Sequence, residues 1–218
     1  PVWYLRFTFF NLRRMLMNKS FIIKIIVICL VTIKVYAIEK VVLFGDSLMA
    51  GYGLSNEHHL SVVLQKSLID EDFNIKVING SVSGSTSSGG LNRAEWTLSE
   101  SDVDLMILGL GANDMLRGIN PKETKKNLEQ IIKIAQDKSI EVVLAGMIAP
   151  SSHGFKYKKN FDNIYPDLSK KYKLTLIPFL LEGVALKPKY NLSDGMHPNE
   201  KGTIIISNTL KKLSLIHI

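Results

Sequence analysis

The sequence predicts an α/β protein, one parallel sheet sandwiched between helices. Two observations point there. Short apolar runs alternate with longer helical stretches along most of the chain, and such alternation implies parallel strands joined by crossovers. Three of the runs also show little polar alternation, as expected of strands covered on both faces. The 218 residues suffice for one domain with a sizeable core.

Taken in order, Val41–Phe44, Ile75–Ile78, Leu105–Leu108, Val142–Ala145 and Leu174–Ile177 read as strands. Helices are expected near 58–70, 88–99, 122–137, 158–172 and 200–212. The third has the clearest start: Asn120 as N-cap, Pro121 at the first helical position and Glu123 two further on. Its apolar side is Leu128, Ile131, Ile132 and Ile134, with charges opposite. Internal repeats and Pro-rich linkers are absent, so residues 38–212 read as one domain. In parallel sheets of this kind the active crevice lies at the carboxyl ends of the strands. Functional residues should therefore follow strands.

The formal charge of +7 suggests a polyanion partner until it is located. Six cations and no acids precede Ile38, which leaves 21 cations against 20 acids in the rest. A near-neutral body gives no electrostatic case for nucleic acid. The Lys pairs at 125–126, 158–159 and 170–171 read as solvated helix faces.

Residues 1–37 read as leader, with Met17 as the start and the residues before it as upstream read-through. Lys19 and Lys24 precede the apolar run Ile25–Ile33, and Val35-Tyr36-Ala37 offers a cleavage point after Ala37. The run is shorter than the roughly 20 residues a comfortable span needs. The alternative is an uncleaved anchor, the only membrane contact the sequence suggests. Arg13-Arg14 resembles a twin-arginine signal but lies before Met17. Cys29, the one cysteine, follows Ile28 rather than a small residue, so a lipoprotein site is not expected. The processed protein would then have no disulfide and no thiolate chemistry. Export to the bacterial periplasm, or secretion, is the expected location. Residues 213–218 read as a non-native tail, because codons for Leu-Ser-Leu-Ile-His-Ile can spell a sequencing-library adapter.

Four segments after strands carry chemistry. Gly45-Asp46-Ser47-Leu48 places a serine at a strand-to-helix turn, where its backbone N–H can meet a developing oxyanion. Ser83-Gly84-Ser85-Thr86 can bring the Gly84 N–H close to a ligand, and it lacks the Gly-Lys-Ser/Thr of a phosphate loop. Gly109-Leu110-Gly111-Ala112-Asn113-Asp114 offers the Asn113 carboxamide as a donor. Asp194-Gly195-Met196-His197-Pro198 spaces a carboxylate and an imidazole to meet, the carboxylate fixing the tautomer of a base for the serine. Singly, each is an ordinary turn or polar loop.

Together and in this order, the four segments resemble the GDSL/SGNH hydrolases over roughly residues 40 to 212. The similarity is greatest to the bacterial thioesterase I, arylesterase and lysophospholipase group. Its marks are Gly45 to Gly53, Asn113 to Gly118 and Leu186-Lys187-Pro188. The resemblance implies a three-layer α/β/α flavodoxin-like sandwich with a parallel five-stranded sheet. It implies Ser47 as nucleophile, His197 as base and Asp194 as orienting acid. Ser47 N–H, Gly84 N–H and the Asn113 amide would form the oxyanion hole. No metal or cofactor is implied. The substrate would be a small-molecule or lipid ester or thioester, and the chain is expected to act as a monomer. The Gly-x-Ser-x-Gly elbow of the α/β-hydrolases is absent around Ser47.

Two departures stand out. Ala112 replaces a glycine often found there, adding a methyl beside the oxyanion site. His58 and His59 replace an aromatic residue and read as surface residues at a helix start. Met115, Leu116, Ile148 and Phe155 follow strand ends and could line an apolar acyl groove, or simply pack under the loops. A carbohydrate O-acetyl esterase and a non-catalytic envelope binding protein are the alternative functions.

Overall fold

The computed structural model describes residues 38–99 and 103–214. The expected leader and residues 215–218 of the expected tail lie outside the described residues. Strands β1 (Lys40–Gly45), β2 (Lys76–Asn79), β3 (Leu105–Gly109), β4 (Glu141–Ala145) and β5 (Thr175–Ile177) form one sheet in the order β2-β1-β3-β4-β5. Every pairing is parallel. Leu43, Phe44, Leu105 to Leu108 and Val143 to Ala145 are fully buried, which explains why β1, β3 and β4 show no polar alternation.

The helices are α1 (Ser47–Ala50), α2 (Leu60–Ile69), α3 (Ser87–Thr97), α4 (Ala112–Leu116), α5 (Pro121–Asp137), α6 (Phe155–Asp162), α7 (Ile164–Tyr172) and α8 (Glu200–Ser214). One packed group joins α2 to α8, the other joins α3 to α5 and α5 to α7. These are the two outer layers around the sheet. The core cluster runs from Ile38 to Leu210, so the unit Ile38–Ile218 carries its own core.

The start of α5 is as expected: the Asn120 side chain accepts from Lys122 N–H at 3.0 Å. Leu128, Ile131, Ile132 and Ala135 are its buried stripe, while Ile134 is only partly covered. One expectation needs correction. The single helix foreseen over 158–172 is two helices meeting at Asn163. Pro166 explains the break, because it has no N–H for the Asp162 carbonyl and its ring clashes there, so it fits only a helix's first turn. The helix that the strand-to-helix turn at Ser47 implies is the single turn α1, and the short α4 is an element the sequence does not announce. Neither is long enough to show a 3.6-residue period.

One contact fixes how the first turn leaves the sheet. Gly45 and Gly109 are register partners at the ends of β1 and β3. A Cβ at Gly45 would sit 2.5 Å from the Met49 sulfur, and one at Gly109 would sit 2.4 Å from it. Two missing side chains let fully buried Met49 seat α1 on the strand ends.

Candidate active site

Asp46 caps α1 from an extended conformation, its Oδ1 accepting from Leu48 N–H at 3.0 Å. Ser47 is thereby the first helical residue. Its N–H is among those a helix leaves without an internal partner. The helix stops at Gly51 (φ 88), where a Cβ would strike the His59 ring at 2.3 Å. His59 is therefore not the surface residue expected: it is half-buried beneath this turn, with Nε2 3.2 Å from Leu54 O. His58 lies 3.4 Å from Glu200.

On the far side, Asn191 and Pro198 bridge antiparallel and close a loop carrying Asp194 and His197. Asp194 Oδ1 accepts from Met196 N–H at 2.9 Å and from His197 N–H at 3.0 Å. Gathering the amides two and three residues on turns the His197 ring toward Oδ2. Nδ1 lies 2.6 Å from it. This is what the three-residue spacing achieves. The His197 N–H, the imidazole and the Met196 N–H hold the Asp194 carboxyl down at about 2. It is a carboxylate at any working pH. His197 Nε2 then lies 3.0 Å from Ser47 Oγ. The three residues expected to form a triad are thus one continuous hydrogen-bonded line. Sequence reasoning gave Tyr52 no role, yet its ring lies 4.4 Å from the His197 ring. Its one sequence signal is its place between Gly51 and Gly53, in the quoted motif.

The other two expected donors are tied to the same corner. Asn113, the second residue of α4, directs Nδ2 to Ser85 O at 3.2 Å and to Asp46 Oδ2 at 3.3 Å. Both bonds are long, so a stronger acceptor can take one of the hydrogens. Arg117 donates to Gly84 O at 3.1 Å. Gly84 has φ 78 and open space where a Cβ would stand, so its backbone conformation is what requires glycine. Asp114, which follows Asn113, is fully buried and accepts from Ser87 N–H (2.7 Å), Ser87 Oγ (2.5 Å) and Thr124 Oγ1 (3.1 Å). This locks α4 against the starts of α3 and α5. The motif carried Asp114, but only the fold reveals its partners. Arg93 works from below, donating to Gly45 O at 2.9 Å and to Gly80 O while its guanidinium covers Phe44.

The suggested acyl groove is only partly supported. Met115 is buried in the core, on the inward side of α4, so its side chain packs and does not line a groove. What it presents outward is its carbonyl, 3.1 Å from His153 Nε2. Leu116, Ile148 and Phe155 are exposed on the same end of the sheet. Ala112 is buried, so its added methyl belongs to the packing under α4. Among the described residues, no three His, Cys, Asp or Glu side chains gather as a metal site.

Asp46 has a testable titration. Burial, outweighing the Leu48 and Asn113 hydrogen bonds, pushes its carboxyl from 3.8 up to about 6. A carboxyl raised by folding holds its proton more tightly folded than unfolded. It therefore favours the folded state fully below pH 3.8, and that contribution is lost as pH rises through 6. The shift corresponds to about 3 kcal/mol. Between pH 4 and pH 7 the parent should lose most of that, about 2.4 kcal/mol, relative to Asp46→Asn, read from urea midpoints. A pH-independent gap would show that Asp46 does not titrate in this window.

The profile of the GDSL-like Lipase/Acylhydrolase family matches residues 43–203. An arylesterase of Vibrio mimicus is 39% identical over 162 residues, 74% of this chain and 81% of the relative. A thioesterase 1/protease 1/lysophospholipase L1 of Escherichia coli is 34% identical over 185 residues, 84% of this chain and 86% of the relative. Among solved structures, the esterase EstA from Pseudoalteromonas, inhibited by monoethylphosphonate, superposes with a TM-score of 0.78 at 30% identity. That match covers 82% of this chain and 97% of EstA.

Proposed function

The chain belongs to the GDSL-like lipase/acylhydrolase family and acts as a hydrolase on ester bonds, and we propose that it does so as a serine esterase through Ser47, His197 and Asp194. The single observation that carries this reading is the line from Asp194 Oδ2 to His197 Nδ1 and from His197 Nε2 to Ser47 Oγ. His197 Nε2 takes the Ser47 proton as Oγ attacks the carbonyl carbon. The tetrahedral oxyanion collects hydrogen bonds from Ser47 N–H, Gly84 N–H and Asn113 Nδ2. His197 returns the proton to the departing alcohol or thiol, leaving Ser47 acylated. Water, deprotonated by His197, then releases the acid. Asp194 stays ionised throughout and stabilises the imidazolium.

The proposed substrates are carboxylic esters and thioesters with apolar acyl or aryl groups. This agrees with the arylesterase and thioesterase/lysophospholipase names of the two relatives. The leader pattern in residues 17–37 supports work in the periplasm, where acyl-CoA is scarce and lipid or small esters are the accessible substrates. Among the described residues, no helix is long and apolar enough to cross a membrane.

The test is hydrolysis of p-nitrophenyl esters from acetyl to palmitoyl by the unit Ile38–Ile218. Medium-chain esters should turn over faster than acetyl, and an ethyl p-nitrophenyl phosphonate should abolish turnover, Ser47 Oγ displacing p-nitrophenolate and taking one phosphonyl group; EstA is likewise inhibited by a phosphonate. Strict preference for acetyl esters would favour carbohydrate O-acetyl esterase chemistry. Folded protein inert to every ester and to the phosphonate would sink the proposal.

A further inference from the structure

The surface around Ser47 differs from the rest of the molecule. Scattered exposed apolar side chains are normal on any protein. Here Tyr52, Leu116, Ile148, Phe155, Leu186 and Met196 are all exposed at the carboxyl end of the sheet, on the segments that follow β1, β3, β4 and β5. Hydrogen bonds and ring contacts tie these segments together. Arg117 joins the loop after β3 to Gly84, His153 joins the loop after β4 to Met115, and Tyr52 lies on His197. Elsewhere, Trp96 stands alone on α3, and Val62, Ile69 and Ile204 sit among the charges of α2 and α8.

Leu186 is the most telling of the six. It is 92% exposed and has φ 60, in the left-handed region. A leucine there is strained by its Cβ, and exposure gives it no burial to offset the strain. Phe155, 83% exposed, likewise has no cover. Strain kept without a folding benefit points to function.

Charge completes the pattern. Arg117, Lys156, Lys159, Lys187 and Lys189 are exposed on these same segments. Asp46 and Asp114 are buried and Asp194 is held by His197; the exposed acids at this end of the sheet are Glu57, Glu182 and the first-turn Glu123 and Glu200, the last lying 3.4 Å from His58. Lys158 is paired with Asp162.

We infer that this face docks on an anionic lipid surface, with Phe155 and Leu186 entering the acyl boundary and the surrounding cations meeting the headgroups. Apolar anchors amid Lys and Arg are the combination that holds a protein at such an interface, each attraction reinforcing the other. The sequence alone suggests membrane contact only at the leader; the exposure of these side chains adds a contact made by the folded unit. The inference rests on the esterase reading in one respect: docking would bring lipid esters to Ser47.

The experiment sediments the unit Ile38–Ile218 with vesicles of phosphatidylcholine, alone or mixed with phosphatidylglycerol. Partition should be strong only onto the mixed vesicles and should be lost at high salt. Leu186→Gly should weaken partition about tenfold. Its thermal midpoint should not fall, since glycine adopts φ 60 freely. Lys156→Ser should weaken partition about fivefold. Both variants should hydrolyse soluble p-nitrophenyl acetate as the parent does. Equal partition onto both vesicles, no partition, or unchanged partition of Leu186→Gly would each overturn the docking surface. Partition without hydrolysis of any ester would instead overturn the esterase reading and leave the surface standing.

Discussion

Replacing Ser47 with alanine is expected to lower kcat on p-nitrophenyl esters by about six decades, to near background. The magnitude follows from what remains. Without Oγ there is no acyl-enzyme, and His197 has no proton to take from its partner 3.0 Å away. The donors around the oxyanion position would still bind and polarise an ester, which sustains only residual catalysis. The substitution removes one half-buried hydroxyl, so the thermal midpoint should stay near the parent's. Loss of turnover with an intact midpoint, and loss of the phosphonyl adduct by mass, would together fix Ser47 as nucleophile. Substantial turnover in the folded variant would place the nucleophile elsewhere.

Asn113→Ala should lower kcat by two to three decades, corresponding to about 2.7–4 kcal/mol of transition-state stabilisation. The Nδ2 group now rests on Ser85 O and Asp46 Oδ2 at 3.2 and 3.3 Å. An oxyanion is a stronger acceptor than a carbonyl, so the bond gains most when charge develops there. KM should change far less than kcat, because the ground-state carbonyl draws little from this donor. A different split would tell another story. A raised KM with unchanged kcat would mean that Asn113 serves binding, and a lowered midpoint with both constants impaired would mean that it mainly holds the Ser85 loop to Asp46.

The sequence made some parts of this architecture legible because they are written in local chemistry. Buried strands need apolar residues on both faces, and Leu105 to Leu108 obey that rule directly. The Asn120-Pro121 start of α5 is readable for the same reason, since capping uses neighbours. The placement of Ser47, Gly84, Asn113, Asp194 and His197 was legible through motif resemblance and through the rule that crevices lie at strand ends. Other features depend on partners far along the chain. The burial of Asp46, its link to Asn113, and the grip of Asp114 on Ser87 leave no periodic trace. Nothing around Met115 separates a groove-lining side chain from a packed one, because apolar character is the same in both settings. His59 misled because its type suggests solvent, whereas its place is dictated by the bare Cα of Gly51. Pro166 was visible, but whether it kinks one helix or divides two depends on packing.

The hydrogen bond between Ser47 and His197 spans 150 residues of sequence. Before it can form, β1, β3, β4 and β5 must pair across the sheet and the loop between β5 and α8 must settle over α1. Contacts of such separation come late, because the entropy of closing long loops is incurred before they stabilise anything. A nascent or partly threaded chain therefore carries every reactive group and yet has no reactivity. During refolding, the regain of ester hydrolysis would follow the last docking event rather than the appearance of helices. The delay is a safeguard in itself: until the fold is finished, esters in the surroundings meet only an unassembled catalyst.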